Sequence, residues 1–233
     1  MATYVLIHGA GSDAWYWHRV VPELEARGHD VVAPDLPTDD DTAGFADYAD
    51  VVIDAVGDRS DRADLVVVGQ SMGGFTAPLV GARVPARSLV LVAAMIPRPG
   101  ESGGDWWDNT GWESARRHDA EAHGRSVDGD LDPLVEFFHD VPAAVTTEAF
   151  ARPMREQSGT PFEKPWPLDA WPAVPTSFLL CTHDRFFPAD FMRRVVRERL
   201  RITPDEMASG HLPALAHPIE LVDRLEALAG PPS

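Results

Sequence analysis

The chain has 233 residues, a net charge of −17 and one cysteine. Such a length supports one large domain with a substantial core. A lone cysteine excludes an intrachain disulfide, and the acidic balance argues against nucleic acid or an anionic membrane surface as partner. No basic-then-apolar leader precedes the first strand and no apolar run reaches membrane-spanning length, so the expectation is a soluble cytoplasmic protein. Arginine is frequent while lysine occurs once, at Lys164, which reads as the codon bias of a GC-rich bacterial genome.

Taken in order, Tyr4–Ile7 is a short apolar run that predicts a central strand, followed by the small-residue loop His8–Ser12. Trp15–Arg27 carries Val20, Val21 and Leu24 at helical spacing, and Gly28 is a plausible stop. Val31–Ala33 predicts the next strand, closed by Pro34-Asp35-Leu36-Pro37. An acidic loop over Thr38–Thr42 then precedes a helix over about Phe45–Val56. Leu65–Val68 and Arg87–Ala93 predict two further buried strands, with a helix over Met72–Val84 between them. Continuous apolar strands alternating with helices predict a parallel sheet covered on both faces.

The alternation stops after Ala94. From about 96 to 171 there is no strand-like run, but helical patches appear at Trp112–His123, Leu131–His139 and Thr146–Gln157. This segment reads as a helical cap insertion within a single domain spanning 1–233. The strand pattern resumes at Thr176–Cys181, whose Cys181 reads as an inert buried residue. A loop over Thr182–Phe187 leads to Pro188, which is suited to the first turn of a helix running to Leu200. Arg201–Met207 predicts a last strand. The loop Ala208–Pro213 then leads into a final helix ending near Ala229.

The stretch that organises this pattern is Leu65–Phe75. Gly69, Ser71 and Gly73 fit G-x-S-x-G between a buried strand and a helix, the sequence of a nucleophile elbow. The turn must be sharp enough to expose the serine hydroxyl, so residues two positions away on either side must be small. The alternative is a glycine-rich connection whose serine only caps the helix. A serine hydroxyl needs a base within hydrogen-bond reach, and that base needs a carboxylate to fix its tautomer. In the order serine, acid, histidine, Asp184 and His211 follow the last two strands, at the strand ends where open parallel sheets place ligands. Asp35, Asp190 and Asp205 compete for the acid role and eight other histidines for the base. Asp35 breaks the order, Asp190 lies in a helix, and His8 suits the loop backbone better.

An oxyanion needs two donors. The Met72 amide is one; the Ala10 amide, with Gly9 as the near alternative, is the other. Trp15, Trp106, Trp107 and Trp112 are candidate walls of an apolar pocket, as is Trp166. The competing role for the tryptophans of the insertion is to pack it onto the body. No H-E-x-x-H or G-x-G-x-x-G spacing is present, so neither metal nor cofactor is expected.

With these residues in view, the sequence resembles the α/β-hydrolase superfamily, and within it the small plant-type esterases and hydroxynitrile lyases with their bacterial relatives. The residues carrying the resemblance are Ile7-His8-Gly9-Ala10, Trp15-Tyr16-Trp17, Asp35-Leu36-Pro37, Gly69-Gln70-Ser71-Met72-Gly73-Gly74, Phe138-His139-Asp140-Val141-Pro142, Cys181-Thr182-His183-Asp184 and Gly210-His211-Leu212-Pro213. The resemblance implies the triad Ser71, Asp184 and His211 and a helical cap. Lyase members carry a lysine after the catalytic histidine and a threonine after the loop histidine, where this chain has Leu212 and Gly9. Both departures favour ester hydrolysis by analogy. The expectation is therefore a cofactor-free serine hydrolase of small carboxylic esters. A lyase, a tailoring enzyme on the same framework and a slow-turnover binding protein are the alternatives.

Overall fold

The computed structural model describes residues 1–61, 64–126 and 131–230. Its six-stranded sheet is parallel throughout, in the order β2-β1-β3-β4-β5-β6. The strands are β1 (Thr3–Ile7), β2 (Asp30–Val32), β3 (Leu65–Gln70), β4 (Ala86–Val92), β5 (Thr176–Cys181) and β6 (Asp205–Met207). Ile7 pairs with Gly69, Gly69 with Leu91, and Leu91 with Phe178. That register levels the carboxyl ends of four strands, so the loops leaving β1 and β3 emerge side by side.

The strands are apolar on both faces because both faces are covered. Val5, Ile7, Val67, Leu91 and Phe178 point into one core layer, packed under α2 (Phe45–Val56), α3 (Gly73–Gly81) and α9 (Ala189–Leu200). Alternate residues Leu6, Val66, Val68, Val92 and Leu179 point into the other, against α1 (Val21–Ala26) and α11 (Pro218–Leu228). The period-2 alternation within each run assigns the residues to these layers. Cys181 is buried in the second layer, and burial pushes its thiol pKa well up.

Between β4 and β5 lie α4 (Gly103–Thr110), α5 (Trp112–Ala122), α6 (Pro133–Glu136), α7 (Ala143–Ala151) and α8 (Thr160–Glu163). Helix α4 was not expected from the sequence, although its signal is present. The Ser102 hydroxyl accepts from the Asp105 amide while the Asp105 carboxylate accepts from Ser102, a reciprocal cap that closes the first turn. Prolines account for several other departures. The segment over 15–27 is a 3-10 turn (Ala14–Trp17) followed by α1, because Pro22 lacks the amide needed to join them. Helix α7 stops at Ala151 because Arg152, preceding Pro153, is extended. The last helix is split into α10 (Pro213–Ala216) and α11 by Pro218. Arg201 caps α9 in the left-handed region, so β6 begins only at Asp205. Pro188 precedes α9 as its cap instead of lying in its first turn. Among the described residues, no helix is long and apolar enough to cross a membrane.

Candidate active site

Ser71 sits at the junction of β3 and α3 with φ of +52°, a left-handed conformation that is strained for a side-chain-bearing residue. The glycines around it make the turn sterically feasible. A Cβ on Gly69 would lie 2.6 Å from the Gly73 carbonyl oxygen, one on Gly73 2.8 Å from that of Ile7, and one on Gly74 1.9 Å from that of Met95. The Ser71 carbonyl accepts from the Met95 amide at 2.9 Å, and its own amide donates to Val92 at 3.3 Å, tying the turn to the end of β4.

The loops after β5 and β6 bring Asp184 and His211 to this serine. His211 Nε2 lies 3.0 Å from Ser71 Oγ, and His211 Nδ1 lies 2.7 Å from Asp184 Oδ2. The other Asp184 oxygen accepts from the Phe186 and Phe187 amides, each at 2.9 Å. Two backbone amides donate to that carboxylate, and Nδ1–H aimed at its other oxygen is the tautomer that completes the arrangement. Nε2 is left with a lone pair facing the serine hydroxyl. The imidazole lies among Phe137, Phe186 and Phe187, with ring centroids 5.1 to 5.4 Å away. Gln70 Nε2 donates to the His211 carbonyl at 3.0 Å. His211 and Asp184 are both buried.

His8 is also buried, and its role is local. Its Nε2 accepts from the Leu36 amide at 3.1 Å, which leaves Nδ1 to donate to the Gly9 carbonyl at 2.9 Å. Burial holds its pKa below the ordinary value. This plug presses the β1 loop against the elbow: a Cβ on Gly9 would lie 2.9 Å from Ser71 Cβ and 2.8 Å from Gln70 Oε1. Ala10 and Met72 face the same space, and among the described residues neither amide has an internal acceptor.

That space is a cavity of about 580 Å3 with Ser71 and His211 in its wall. Trp15 and Trp107 line it, together with Tyr16, Met95, Phe138 and Phe162. Trp15 is braced by its indole bond to Glu148 and by the Arg152 guanidinium 4.9 Å from its ring centroid. Trp106 and Trp112, expected as pocket walls, are placed otherwise. Trp106 is fully buried, donates to the Ile96 carbonyl and packs against Phe187 and Phe191. Trp112 donates to the Phe186 carbonyl at 2.6 Å and stands behind Phe186, which does line the cavity. Trp166 is buried on the Phe75 carbonyl. Trp112 and Trp166 tie the insertion to the loop after β5 and to α3.

The competing carboxylates lie elsewhere. Asp190 is exposed and paired with Arg193, Asp205 is exposed on β6, and Asp35 accepts from the Ala14 amide. Among the described residues, no three His, Cys, Asp or Glu side chains come together as metal ligands would. Sequence reasoning missed Gln70, Phe137 and Phe186, whose proximity to His211 exists only across the fold.

A serine in an elbow, an imidazole between it and a buried carboxylate, and an apolar cavity thus lie together at the carboxyl ends of an all-parallel sheet. The Alpha/beta hydrolase family profile matches residues 4–224, and the chain belongs to that family. Within it, the chain is 34% identical over 110 residues to the rice protein "Probable esterase PIR7A" (Oryza sativa subsp. indica), covering 43% of this chain and 42% of that one. It is 34% identical over 122 residues to Methylesterase 3 of Arabidopsis thaliana, covering 48% and 46%. The matched stretches thus span less than half of these relatives. The crystal structure of polyneuridine aldehyde esterase superposes with a TM-score of 0.77 at 20% identity, over 99% of this chain and 100% of that one. The homology to plant methylesterases and PIR7-type esterases is distant, and the structural likeness establishes the fold.

Proposed function

We propose that the chain is a serine hydrolase of small carboxylic esters, with Ser71 as nucleophile, His211 as general base and Asp184 as its orienting carboxylate. The observation that carries this reading is the continuous hydrogen-bonded chain Ser71–His211–Asp184 opening on an apolar cavity. The names of the relatives, esterases and methylesterases, support the reaction class.

Ser71 Oγ attacks the ester carbonyl carbon as its proton passes to His211 Nε2. The Ala10 and Met72 amides hold the tetrahedral oxyanion, and the positive end of α3 adds to that field. His211 then protonates the departing alcohol, leaving an acyl group on Ser71. Water, deprotonated by His211, attacks the acyl carbon; the Ser71 Oγ–carbon bond then breaks as His211 returns the proton to Oγ, and the acid is released. Asp184 accepts from the Nδ1–H of the imidazolium and stabilises it in both halves. Side chains from α4, α6, α7 and α8, among them Trp107, Pro133, Phe150 and Phe162, form the cap side of the cavity over the acyl group.

Cyanohydrin cleavage is less well served by this site. A threonine at position 9 would need its Cβ where Ser71 Cβ stands 2.9 Å away, and the cavity wall after His211 is the apolar Leu212. The test is turnover of p-nitrophenyl acetate through octanoate by wild type and Ser71→Ala. The expected result is turnover that falls by about 10^4-fold or more in the variant. Equal turnover in the two proteins would remove Ser71 from the reaction, and no turnover by folded wild type would reject the ester-hydrolase reading.

A further inference from the structure

The loop carrying His211 is held at successive residues by different parts of the molecule. The His183 amide donates to the Ser209 carbonyl at 3.0 Å, and Gln70 holds the His211 carbonyl at 3.0 Å. Between them, the Gly210 amide donates to Asp140 Oδ2 at 2.5 Å, and the Ser209 hydroxyl lies 3.4 Å from the same oxygen. Among the described residues, Asp140 is the one that holds this loop by hydrogen bonds from the insertion; it sits between α6 and α7. Three residues earlier, Phe137 packs on the imidazole itself. The fit at Gly210 is close: a Cβ there would lie 2.5 Å from Asp140 Oδ1 and 2.8 Å from His139 Nε2.

From this geometry we infer that Asp140 is a positioning residue for His211, a carboxylate supplied by the insertion that sets the base at its distance from Ser71. It touches no reacting atom. It accepts the backbone amide immediately before the base, and thereby fixes where the imidazole starts from the loop. The inference rests on the triad assignment above. It adds that the insertion contributes to proton transfer as well as to the cavity wall. Replacing the carboxylate by a methyl group frees the Gly210 amide and lets the loop relax. The loss falls chiefly on the chemical step, because Asp140 does not itself line the cavity.

The experiment measures kcat and KM on the best p-nitrophenyl ester for Asp140→Ala, Asp140→Asn and Gly210→Ala. It also measures the rate at which an alkyl fluorophosphonate labels Ser71. In that labelling Ser71 Oγ bonds to phosphorus, fluoride leaves and His211 takes the hydroxyl proton, so the readout needs no knowledge of the natural ester. Asp140→Ala is expected to lower kcat and the labelling rate by at least about tenfold with KM within about twofold, since small misplacements of a reacting group are costly. Asp140→Asn keeps an acceptor for Gly210 and is expected to recover most of both rates. Gly210→Ala wedges the carboxylate away and is expected to resemble Asp140→Ala, which decides the matter if that variant does not fold. Wild-type kcat in Asp140→Ala, or in Gly210→Ala should the former not fold, overturns the inference. So does an equal loss in Asp140→Asn and Asp140→Ala. Labelling of wild type with no change in the variants rejects this inference alone, whereas an unlabelled wild type rejects the triad assignment with it.

Discussion

Asp184 shows how much of the proposed chemistry depends on the donor–acceptor character of one side chain. Two backbone amides donate to one of its oxygens, and in the proposed mechanism the imidazole Nδ1–H donates to the other. An asparagine would preserve its shape but present an amide N–H to one of those donors. Rotating to satisfy the two backbone amides would point its NH2 at His211 Nδ1 and select the tautomer with the proton on Nε2. We therefore expect Asp184→Asn to lower kcat by about 10^3- to 10^4-fold with KM little changed. Steady-state kinetics beside an unchanged circular dichroism spectrum would check this. Retention of more than a tenth of wild-type kcat would show that the carboxylate does not set the tautomer. The proposed triad could be read from the chain because the serine, acid and histidine stand in that order after β3, β5 and β6. Gln70, Phe137 and Asp140 were not singled out for roles, since no spacing in the sequence relates them to position 211.

At the scale of elements, the β3–α3 junction does most to place the site. Its strained serine survives because three glycines let β1, β3, β4 and α3 approach at backbone contact distance. Gly74 is the tightest of them, with the Met95 carbonyl where a Cβ would be. Relief would require moving the segment after β4 that also bonds the Ser71 carbonyl. Gly74→Ala is therefore expected to destabilise the fold by about 3 kcal/mol or more, at the upper end of overpacking costs. Urea unfolding would measure this, and a change under about 1 kcal/mol would mean that the approach relaxes freely. The insertion is the element in which sequence reasoning succeeded least. Its helices are short and start or stop at Pro133, Pro153 and Pro161 more than by hydrophobic periodicity. Its tryptophans looked alike in sequence, yet Trp107 faces the cavity while Trp106, its neighbour, is core.

At the scale of the whole molecule, His8 links stability to pH. It is buried and neutral, and burial lowers its pKa below the ordinary value of 6.5. The unfolded chain therefore binds a proton at this residue below about pH 6.5 while the folded chain does not. Stability contributed by the neutral ring is full above that pH and is lost as the pH falls toward the folded pKa. Each pH unit in that window removes up to about 1.4 kcal/mol. Acidification also relieves repulsion among the many carboxylates of this −17 chain, so the term is isolated by comparison with His8→Gln, whose side-chain oxygen can still accept from Leu36. Wild type is expected to lose more stability than His8→Gln between pH 7.5 and 5.5, as measured by urea unfolding. Parallel losses would assign the pH dependence to other groups.

The sequence by itself determined the parallel sheet, the serine turn and the chain order of acid and histidine. These follow from local regularities: apolar runs of strand length, glycines at forced positions and polar residues at strand ends. The tertiary structure alone decided which tryptophans line the cavity, how β1 is pressed onto the elbow by His8, and that Asp140 of the insertion bonds the loop before His211. Those relations depend on contacts between segments far apart in the chain. Such distances are set by how helices and loops settle on the finished sheet, and no periodicity along the chain encodes them.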